Sequence, residues 1–211
     1  MMTIPALSIR RGKAVQRSGD RYEPMDFPDP LYVLKRLAKE HETILVLDLD
    51  AIEGQEPQFK VMQKLSEGDS DLWFDVGIDG PNELYDPFMS GAVRLLACSK
   101  RLPDLDALAK IAEISPDVII SLEFHDGCLL WGGHECPKPE DVLAFAKEHG
   151  YAELIIAEFG QSGSDAAGSA LKKALETGFK VYVAGSLQPC EGVAGQIVSA
   201  SKLMGEKDGG A

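Results

Sequence analysis

The chain has 211 residues, with 21 Lys and Arg against 34 Asp and Glu, which gives a formal net charge of −13. Nucleic acids and anionic membranes attract proteins with a basic surface, so this charge disfavours both as partners. Hydrophobic residues make up 45% of the chain, which allows a sizeable core, and the length fits one domain covering residues 1–211.

The sequence carries no pattern typical of a membrane span, a signal peptide or a disulfide framework. No run approaches about 18 consecutive apolar residues, and the N-terminus lacks a basic and then apolar segment followed by a small-residue cleavage site. The four cysteines lie at irregular spacings, which favours free thiols: Cys98, Cys128, Cys136 and Cys190. We therefore expect a cytoplasmic protein.

Short apolar, β-branched runs alternate along the chain with segments of helical period. The predicted strands are 3–9, 44–49, 72–76, 93–98, 118–124, 154–159, 180–184 and 196–200. The predicted helices are 30–39, 58–65, 81–89, 104–114, 139–149 and 166–177. Eight strands that alternate with helices predict a compact, closed (β/α)₈ TIM barrel of the α/β class. Because only about a dozen residues separate the last two strands, the helix between strands seven and eight is expected to be reduced or absent.

Ligands of such barrels bind at the carboxyl ends of the strands. The polar residues at these ends are mostly acidic: Ser8, Arg10, Asp48, Asp50, Asp75, Cys98, Lys100, Glu123, His125, Glu158 and Ser186. Carboxylates that converge at a barrel mouth can supply a general acid and a general base, or bind a cationic group. A charge at a strand end can equally be solvated in a loop.

The segment 4–15, which reads IPALSIRRGKAV, resembles the opening of the HisA/HisF family, where IPAIDL is followed by a glycine, a lysine and a valine. Colinear matches follow at 19–20, 29–30, 45–50, 75–79, 121–124, 163–168 and 197–205. Segments 48–54 and 121–124 look most like a divergent branch of organisms that use methanopterin-type one-carbon carriers. The resemblance implies a barrel, and the HisA enzyme isomerises an aminoaldose to an aminoketose in histidine synthesis.

The resemblance also implies positions for the catalytic residues of the family. Its first catalytic aspartate corresponds to Ser8, its fifth-strand aspartate to Glu123, and the aspartate of a later Asp-Gly pair to Ser162. A serine without an adjacent base is neither an acid nor a base at neutral pH. Glu123 is therefore the best candidate for proton transfer, with Asp48 and Asp50 as its catalytic partners.

The two phosphate sites of the family are altered as well. Family members hold phosphate with glycine-rich turns whose N–H groups point at the oxygens. Asp75 and Asp79 stand at one such turn, where they repel phosphate unless Lys100 or Arg101 pairs with them. At the other turn Gly185 and Ser186 are compatible with one phosphate. The further candidate substrate-binding residues are Ser8, Arg10, His134, Glu158 and Ser199.

The loop after the fifth strand offers a rival interpretation, a zinc site. Its possible ligands are His125, Cys128, His134 and Cys136. Asp-Gly at 126–127 more simply predicts a hairpin turn, in which strand alternation scatters these ligands. We therefore expect no metal and no cofactor. His134 falls where the family has a tryptophan that stacks on the substrate.

Three hypotheses follow. The first is a biosynthetic enzyme of isomerase-like or lyase-like acid/base chemistry, acting on a small metabolite with at most one phosphate in the synthesis of a tetrahydromethanopterin-type carrier. The second is an isomerase of histidine synthesis with displaced catalytic residues. The third is a non-catalytic binding or assembly subunit. A gap in the helix ring exposes strand surface that another chain could cover, which favours the third hypothesis. A homo-oligomer or hetero-oligomer is nevertheless compatible with each of the three.

Overall fold

The computed structural model of the chain describes residues 1–18, 21–160 and 165–205. The strands in this part of the chain are β1 (Met2–Arg10), β2 (Lys13–Ser18), β3 (Arg21–Pro24), β4 (Thr43–Asp48), β5 (Asp71–Asp75), β6 (Arg94–Cys98), β7 (Val118–His125), β8 (Cys128–Leu129), β9 (Glu153–Phe159), β10 (Lys180–Gly185) and β11 (Gly195–Ser199). The helices are α1 (Pro30–Leu37), α2 (Leu49–Ile52), α3 (Phe59–Leu65), α4 (Tyr85–Met89), α5 (Leu105–Ile114), α6 (Pro139–Glu148), α7 (Asp165–Glu176) and α8 (Ala200–Leu203), with a 3₁₀ turn at Pro81–Glu83.

Eight of these strands form a closed parallel barrel, as the alternation predicts. Their order is β1, β4, β5, β6, β7, β9, β10 and β11, and β11 pairs with β1. The remaining strands are antiparallel additions, because β2 and β3 extend from β1 while β8 pairs with β7. The fold class is therefore the predicted compact (β/α)₈ barrel.

The chain divides into two compact units. One contains Thr3–Gly77, Tyr85–Leu95 and the described residues from Ile197 onward. Its buried side chains come from β1, β4, β5, α1 and α3, and include Ile4, Leu7, Val46, Met62 and Phe74. Helix α1 begins where Asp29 caps it, since the Asp29 carboxylate accepts the Leu31 N–H at 3.0 Å, and Pro30 occupies its first turn.

The other unit contains Met1–Met2, Ile78–Leu84 and Leu96–Gln196. Strands β7, β9 and β10 are its centre, and their side chains are buried over most of their length. Helix α7 packs against β9 and β10. Helix α5 buries an apolar face of Ala107, Leu108 and Ile111, and begins at Asp104, whose carboxylate accepts the Ala107 N–H at 2.8 Å.

Residues 186–194 contain no helix, which confirms the expected gap between the last two barrel strands. Elsewhere the observed elements differ from the predicted ones. The helix predicted at 81–89 is divided into the 3₁₀ turn and α4. Leu49, predicted as strand, begins α2, and Ala200 begins α8, because the chain turns directly at each strand end. The β2–β3 pair was not predicted.

No helix among the described residues is both long and apolar enough to span a membrane.

Candidate active site

Asp48, one of the acidic residues at the strand ends, accepts four hydrogen bonds. It is fully buried at the end of β4. Its Oδ1 accepts the N–H groups of Asp50 and Ala51 and the side-chain amide of Gln58, the latter at 2.8 Å, and its Oδ2 accepts the Gln58 N–H at 2.7 Å. Four donors fill both oxygens, so Asp48 caps α2 and fixes the 48–58 loop.

Asp50 and Arg10 also have partners within their own unit. The Asp50 carboxylate, 6% exposed, accepts the Arg11 N–H at 2.7 Å, which links the end of β1 to α2. The Arg10 guanidinium pairs with Glu53 and lies over the Tyr22 ring, 5.3 Å from its centroid. These contacts hold the loop after β1 in place.

Ser8 and Asp75 lie at the same level of the sheet. Ser8 is paired with Leu47 and Leu47 with Asp75, so the side chains of all three project from the same face. Asp48 follows Leu47 by one residue and projects from the opposite face. The sequence-based expectation that Asp48 and Asp75 converge is therefore not met by the strand register.

Asp75 uses the glycine that the family resemblance assigns to phosphate. It is 3% exposed, and its Oδ1 accepts the Gly77 N–H at 3.0 Å. The Gly77 N–H, which a phosphate at this turn would need as a donor, is thus already bonded to a carboxylate of the chain.

Glu123 presents a different environment. It lies in β7, and its side chain is 8% exposed. Its Oε2 is 3.0 Å from the Nζ of Lys100, whose side chain is 36% exposed. Glu123 is thus a buried carboxylate whose ion-pair partner reaches solvent. This makes the pair the best candidate for chemistry among the strand-end residues.

The loop that carries Lys100 is fixed on both sides. The Glu123 N–H donates to the Ser99 hydroxyl at 3.0 Å, and the Ser99 N–H donates to the Ser121 carbonyl at 2.8 Å. The Gly132 N–H donates to the Ser99 carbonyl at 3.0 Å. At residue 133 only glycine fits, because a Cβ there would lie 1.8 Å from the Pro103 carbonyl oxygen. Backbone contacts therefore set the position of Lys100 relative to β7.

Cys98 is the other reactive group beside Glu123. It ends β6 and is 1% exposed. Its sulfur lies within 4.8 Å of a Glu123 carboxylate oxygen. The Cys98 thiol is shielded from solvent, whereas the Lys100 side chain is 36% exposed and can reach a ligand.

Asp79 pairs with Arg101, one of the two cationic residues suggested by the sequence as its partner. The Nη2 of Arg101 is 3.5 Å from Asp79 Oδ2, with side-chain exposures of 30% and 49%. The Asp79 N–H donates to Glu83 Oε2 at 2.7 Å. Burial raises the pKa of Glu83 above its ordinary value, and the hydrogen bond from the Asp79 N–H opposes this shift. Because Arg101 pairs with it, the Asp79 carboxylate repels a phosphate less than an unpaired carboxylate would.

Glu158 is buried without a hydrogen bond. It lies in β9 at 4% exposure, and neither carboxylate oxygen has a hydrogen-bond partner among the described residues. In the strand register Glu158 is paired with Phe124, whereas Glu123 is paired with Ala157. The two glutamates therefore project from opposite faces of the sheet and do not converge.

Gly185 and Ser186 pack against the backbone of Glu158. The Ser186 N–H and hydroxyl both donate to the Glu158 carbonyl, at 2.9 and 3.2 Å. Gly185 has a φ of +72°, and a Cβ there would lie 1.9 Å from the same oxygen, so only glycine fits. The donors assigned to a residual phosphate site already have an acceptor within the chain.

The loop after β7 forms the predicted hairpin. His125 pairs with Cys128 across the turn, and Asp126 and Gly127 both have positive φ, at 46° and 79°. Among the described residues, the four suggested zinc ligands do not form a group of three with ligand atoms within 4.8 Å of one another. Burial, followed by the nearby Cys128, raises the pKa of the Cys136 thiol. His134 is exposed.

Two further positions complete the set. Ser199 is exposed at the end of β11, with its hydroxyl 2.7 Å from that of Ser201. Ser162, the counterpart of a family aspartate, lies outside the described residues.

Sequence reasoning missed the partnership of Lys100 with Glu123. Lys100 was considered only as a partner for Asp75 or Asp79. The available signal was the strand order, because a lysine two residues after β6 lies beside the end of β7 when these strands are neighbours.

A comparison with known families agrees with this fold. A family model described as "Histidine biosynthesis protein" matches residues 2–186, which is most of the chain. The chain therefore belongs to the histidine biosynthesis protein family, and it is a HisA/HisF-like barrel.

Proposed function

Because the chain belongs to this family, we propose that it is an enzyme of acid/base chemistry acting on a small metabolite with at most one phosphate. We place this reaction in the synthesis of a tetrahydromethanopterin-type one-carbon carrier. That assignment rests on the resemblance of segments 48–54 and 121–124 to the divergent branch. Glu123 is the proposed proton-transfer residue. The alternative function is the isomerase of histidine synthesis, and the test must distinguish it from the proposed reaction.

The observation that carries the proposal is the hydrogen bond from the Gly77 N–H to Asp75 Oδ1 at 3.0 Å. A phosphate at this turn would have to displace a buried carboxylate and would then lie beside its negative charge. At the second turn the Ser186 donors bond to the Glu158 carbonyl. At both turns, donors that the resemblance assigns to phosphate are therefore already bonded within the chain, which disfavours a ligand with two phosphates.

The absence of the family aspartate at Ser8 supports a changed reaction. A serine hydroxyl does not titrate near neutral pH, so it cannot exchange protons in the manner of a carboxylic acid. Glu123 keeps a carboxylate at the fifth-strand position and has Lys100 as a cationic partner. The chain therefore retains one carboxylate for proton transfer, in a setting different from that of the histidine isomerase.

The test is a binding titration with three ligands: the doubly phosphorylated intermediate of histidine synthesis, a singly phosphorylated analogue and an uncharged analogue. We expect the doubly phosphorylated ligand to bind most weakly. Asp79→Arg should strengthen its binding at least tenfold, because the change removes a carboxylate and adds a guanidinium beside Arg101. Asp69→Arg makes the same charge change at an exposed position and should alter binding less than twofold.

Tightest binding of the doubly phosphorylated ligand by the unmodified protein would contradict the proposal and favour the histidine isomerase. A second experiment is genetic, because the gene should not restore growth of a bacterium that lacks the HisA isomerase. Growth without histidine would overturn the proposal directly.

A further inference from the structure

Three lysine–carboxylate pairs among the described residues differ in burial. Lys110 pairs with Asp106 at 2.6 Å, and both side chains are more than half exposed. Lys180 pairs with Glu153 at 3.2 Å, with exposures of 54% and 16%. The Lys100–Glu123 pair is the most buried of the three, at 36% and 8%. Water screens the charges of this pair least.

Burial changes what such a pair can do. An ammonium and a carboxylate 3.0 Å apart can exchange one proton, which leaves a neutral amine and a neutral acid. Water stabilises the charged form, so shielding from water brings the neutral form closer in free energy. A neutral amine is a nucleophile toward carbonyl carbon, whereas an ammonium is not.

We propose that Lys100 is an imine-forming amine and that the substrate is an aldehyde or ketone with a hydrogen on the carbon next to the carbonyl. This inference rests on the proposed function and names its substrate class. Lys100 and Glu123 then act as one unit, the amine as nucleophile and the carboxylate as the group that moves protons.

The reaction balances without an added reactant. Lys100 gives a proton to Glu123, and its lone pair forms a bond to the carbonyl carbon while the carbonyl π electrons move to oxygen. Glu123 protonates that oxygen and takes back a proton from nitrogen. A second protonation lets the oxygen leave as water, which produces a protonated imine and regenerates the Glu123 carboxylate. No atom is oxidised or reduced overall.

The imine accounts for proton transfer with a single carboxylate. A protonated imine withdraws electrons, so the neighbouring C–H bond breaks more easily, its electron pair enters the C–C bond and the carboxylate receives the proton. The family reaction starts from a substrate that carries its own amine. A lysine amine from the protein would serve a substrate that lacks one, which fits the loss of the family aspartate at Ser8.

The rigid setting of Lys100 supports the same inference. Ser99 receives hydrogen bonds from the Glu123 N–H and from the Gly132 N–H, so the residue before Lys100 is held by β7 and by the loop after β8. A nucleophile whose backbone is fixed loses less conformational entropy on reaching the reactive geometry.

The experiment is reductive trapping with glycolaldehyde. The full-length protein is incubated with the aldehyde and borohydride, digested, and the initial rate of modification of each lysine is measured by peptide mass spectrometry. We expect Lys100 to react at least tenfold faster than Lys110 and Lys180, which also pair with carboxylates. Equal or slower modification of Lys100 would overturn the inference.

Matched variants test the role of the carboxylate. Glu123→Gln should reduce the Lys100 rate to that of Lys110, whereas Glu153→Gln should leave the Lys100 rate unchanged. Circular dichroism confirms that each variant is folded, and Glu123→Asp, which withdraws the carboxylate by one methylene, replaces Glu123→Gln if the latter does not fold. An unchanged Lys100 rate in the folded Glu123 variant contradicts the inference.

The two proposals fail separately. Ligand titration with the phosphorylated compounds does not measure lysine reactivity. Rapid labelling of Lys100 together with tightest binding of the doubly phosphorylated ligand would keep the imine and reject the proposed function. Slow labelling of Lys100 together with weak binding of the doubly phosphorylated ligand would reject the imine and keep the proposed function.

Discussion

The carboxylates of the two units differ in what they bind. In the unit that contains β4 and β5, Asp48, Asp50 and Asp75 each accept backbone N–H groups from their own unit. In the unit that contains β7 and β9, Glu123 pairs with a lysine side chain, and the side chain of Glu158 has no hydrogen bond among the described residues. Similar positions at strand ends thus carry different kinds of partner.

This difference separates structural acids from reactive ones. A backbone N–H is fixed in position by the fold and cannot transfer a proton to a substrate. A carboxylate that accepts hydrogen bonds from such groups therefore stabilises the structure. A lysine side chain can exchange a proton and can reach a ligand. The type of partner, more than the position of a residue at a strand end, indicates where the chemistry lies.

The largest expected effect is on Asp48. Asp48→Ala removes four hydrogen bonds and leaves their donors without an acceptor in a buried loop, so we expect the free energy of unfolding to fall by about 3 kcal/mol or more. Urea denaturation measures this loss. Asp48→Asn keeps one acceptor oxygen and should lose clearly less. A loss under about 1 kcal/mol for Asp48→Ala would show that the hydrogen bonds do not hold this loop.

Two glutamates of β9 sharpen the comparison within one strand. Glu158→Met should raise the free energy of unfolding by about 1–3 kcal/mol, because a buried carboxylate without hydrogen bonds is replaced by an apolar side chain of similar size. Glu153→Met should lower it by about 1–3 kcal/mol, because Glu153 accepts the buried Tyr182 hydroxyl at 2.8 Å.

Urea denaturation of both variants under the same conditions shows whether each change raises or lowers the free energy of unfolding. A loss of stability in Glu158→Met would mean that Glu158 has a partner that stabilises the fold, and the contrast between the two glutamates would then disappear.

The smallest expected effect depends on pH and concerns Tyr151. This residue lies in the same unit as Glu158 but, unlike Glu158, its side chain has a hydrogen-bond partner among the described residues. Its hydroxyl donates to the Leu108 carbonyl at 2.8 Å, and burial raises its pKa well above its ordinary value. Above pH of about 10 the unfolded chain loses this proton while the folded chain keeps it, so stability falls as pH rises.

Tyr151→Phe should therefore lower stability by about 1 kcal/mol at pH 7 and reduce the decline above pH of about 10. Urea denaturation at pH 7 and at pH of about 11 measures both effects. Tyr85→Phe, at a side chain 69% exposed, is the matched control and should change neither value. An unchanged decline in Tyr151→Phe would contradict this prediction.

The barrel could be predicted from the sequence because strand alternation is a strong pattern. Apolar β-branched runs place all eight barrel strands within one or two residues of their observed ends. The β2–β3 pair has no such pattern, because β3 is exposed at all four positions and contributes no apolar face. The short helix α2 was predicted as strand at Leu49, since an apolar residue after Asp48 reads as a continuation of β4.

The candidate site could be predicted in its residue types but not in their partners. The Asp75 carboxylate and the Gly77 N–H are close in sequence, and Asp48 bonds to Gln58 ten residues away through a loop without a periodic pattern. The pairing of Lys100 with Glu123 depends on two neighbouring strands whose loops point the same way. Strand alternation also sets Glu158 on the face opposite Glu123, a consequence of register that a list of strand ends does not contain.

The most direct test of the central claim is the stability of the double variant Lys100→Met with Glu123→Met. If the pair serves chemistry, the fold does not need it, and two well-packed apolar side chains should keep the free energy of unfolding within about 1 kcal/mol of the unmodified protein, or raise it. Lys100→Met alone should cost about 3 kcal/mol, because it leaves a buried carboxylate without its ion-pair partner. A double variant as unstable as Lys100→Met alone would show that the pair holds the fold together and would contradict the account.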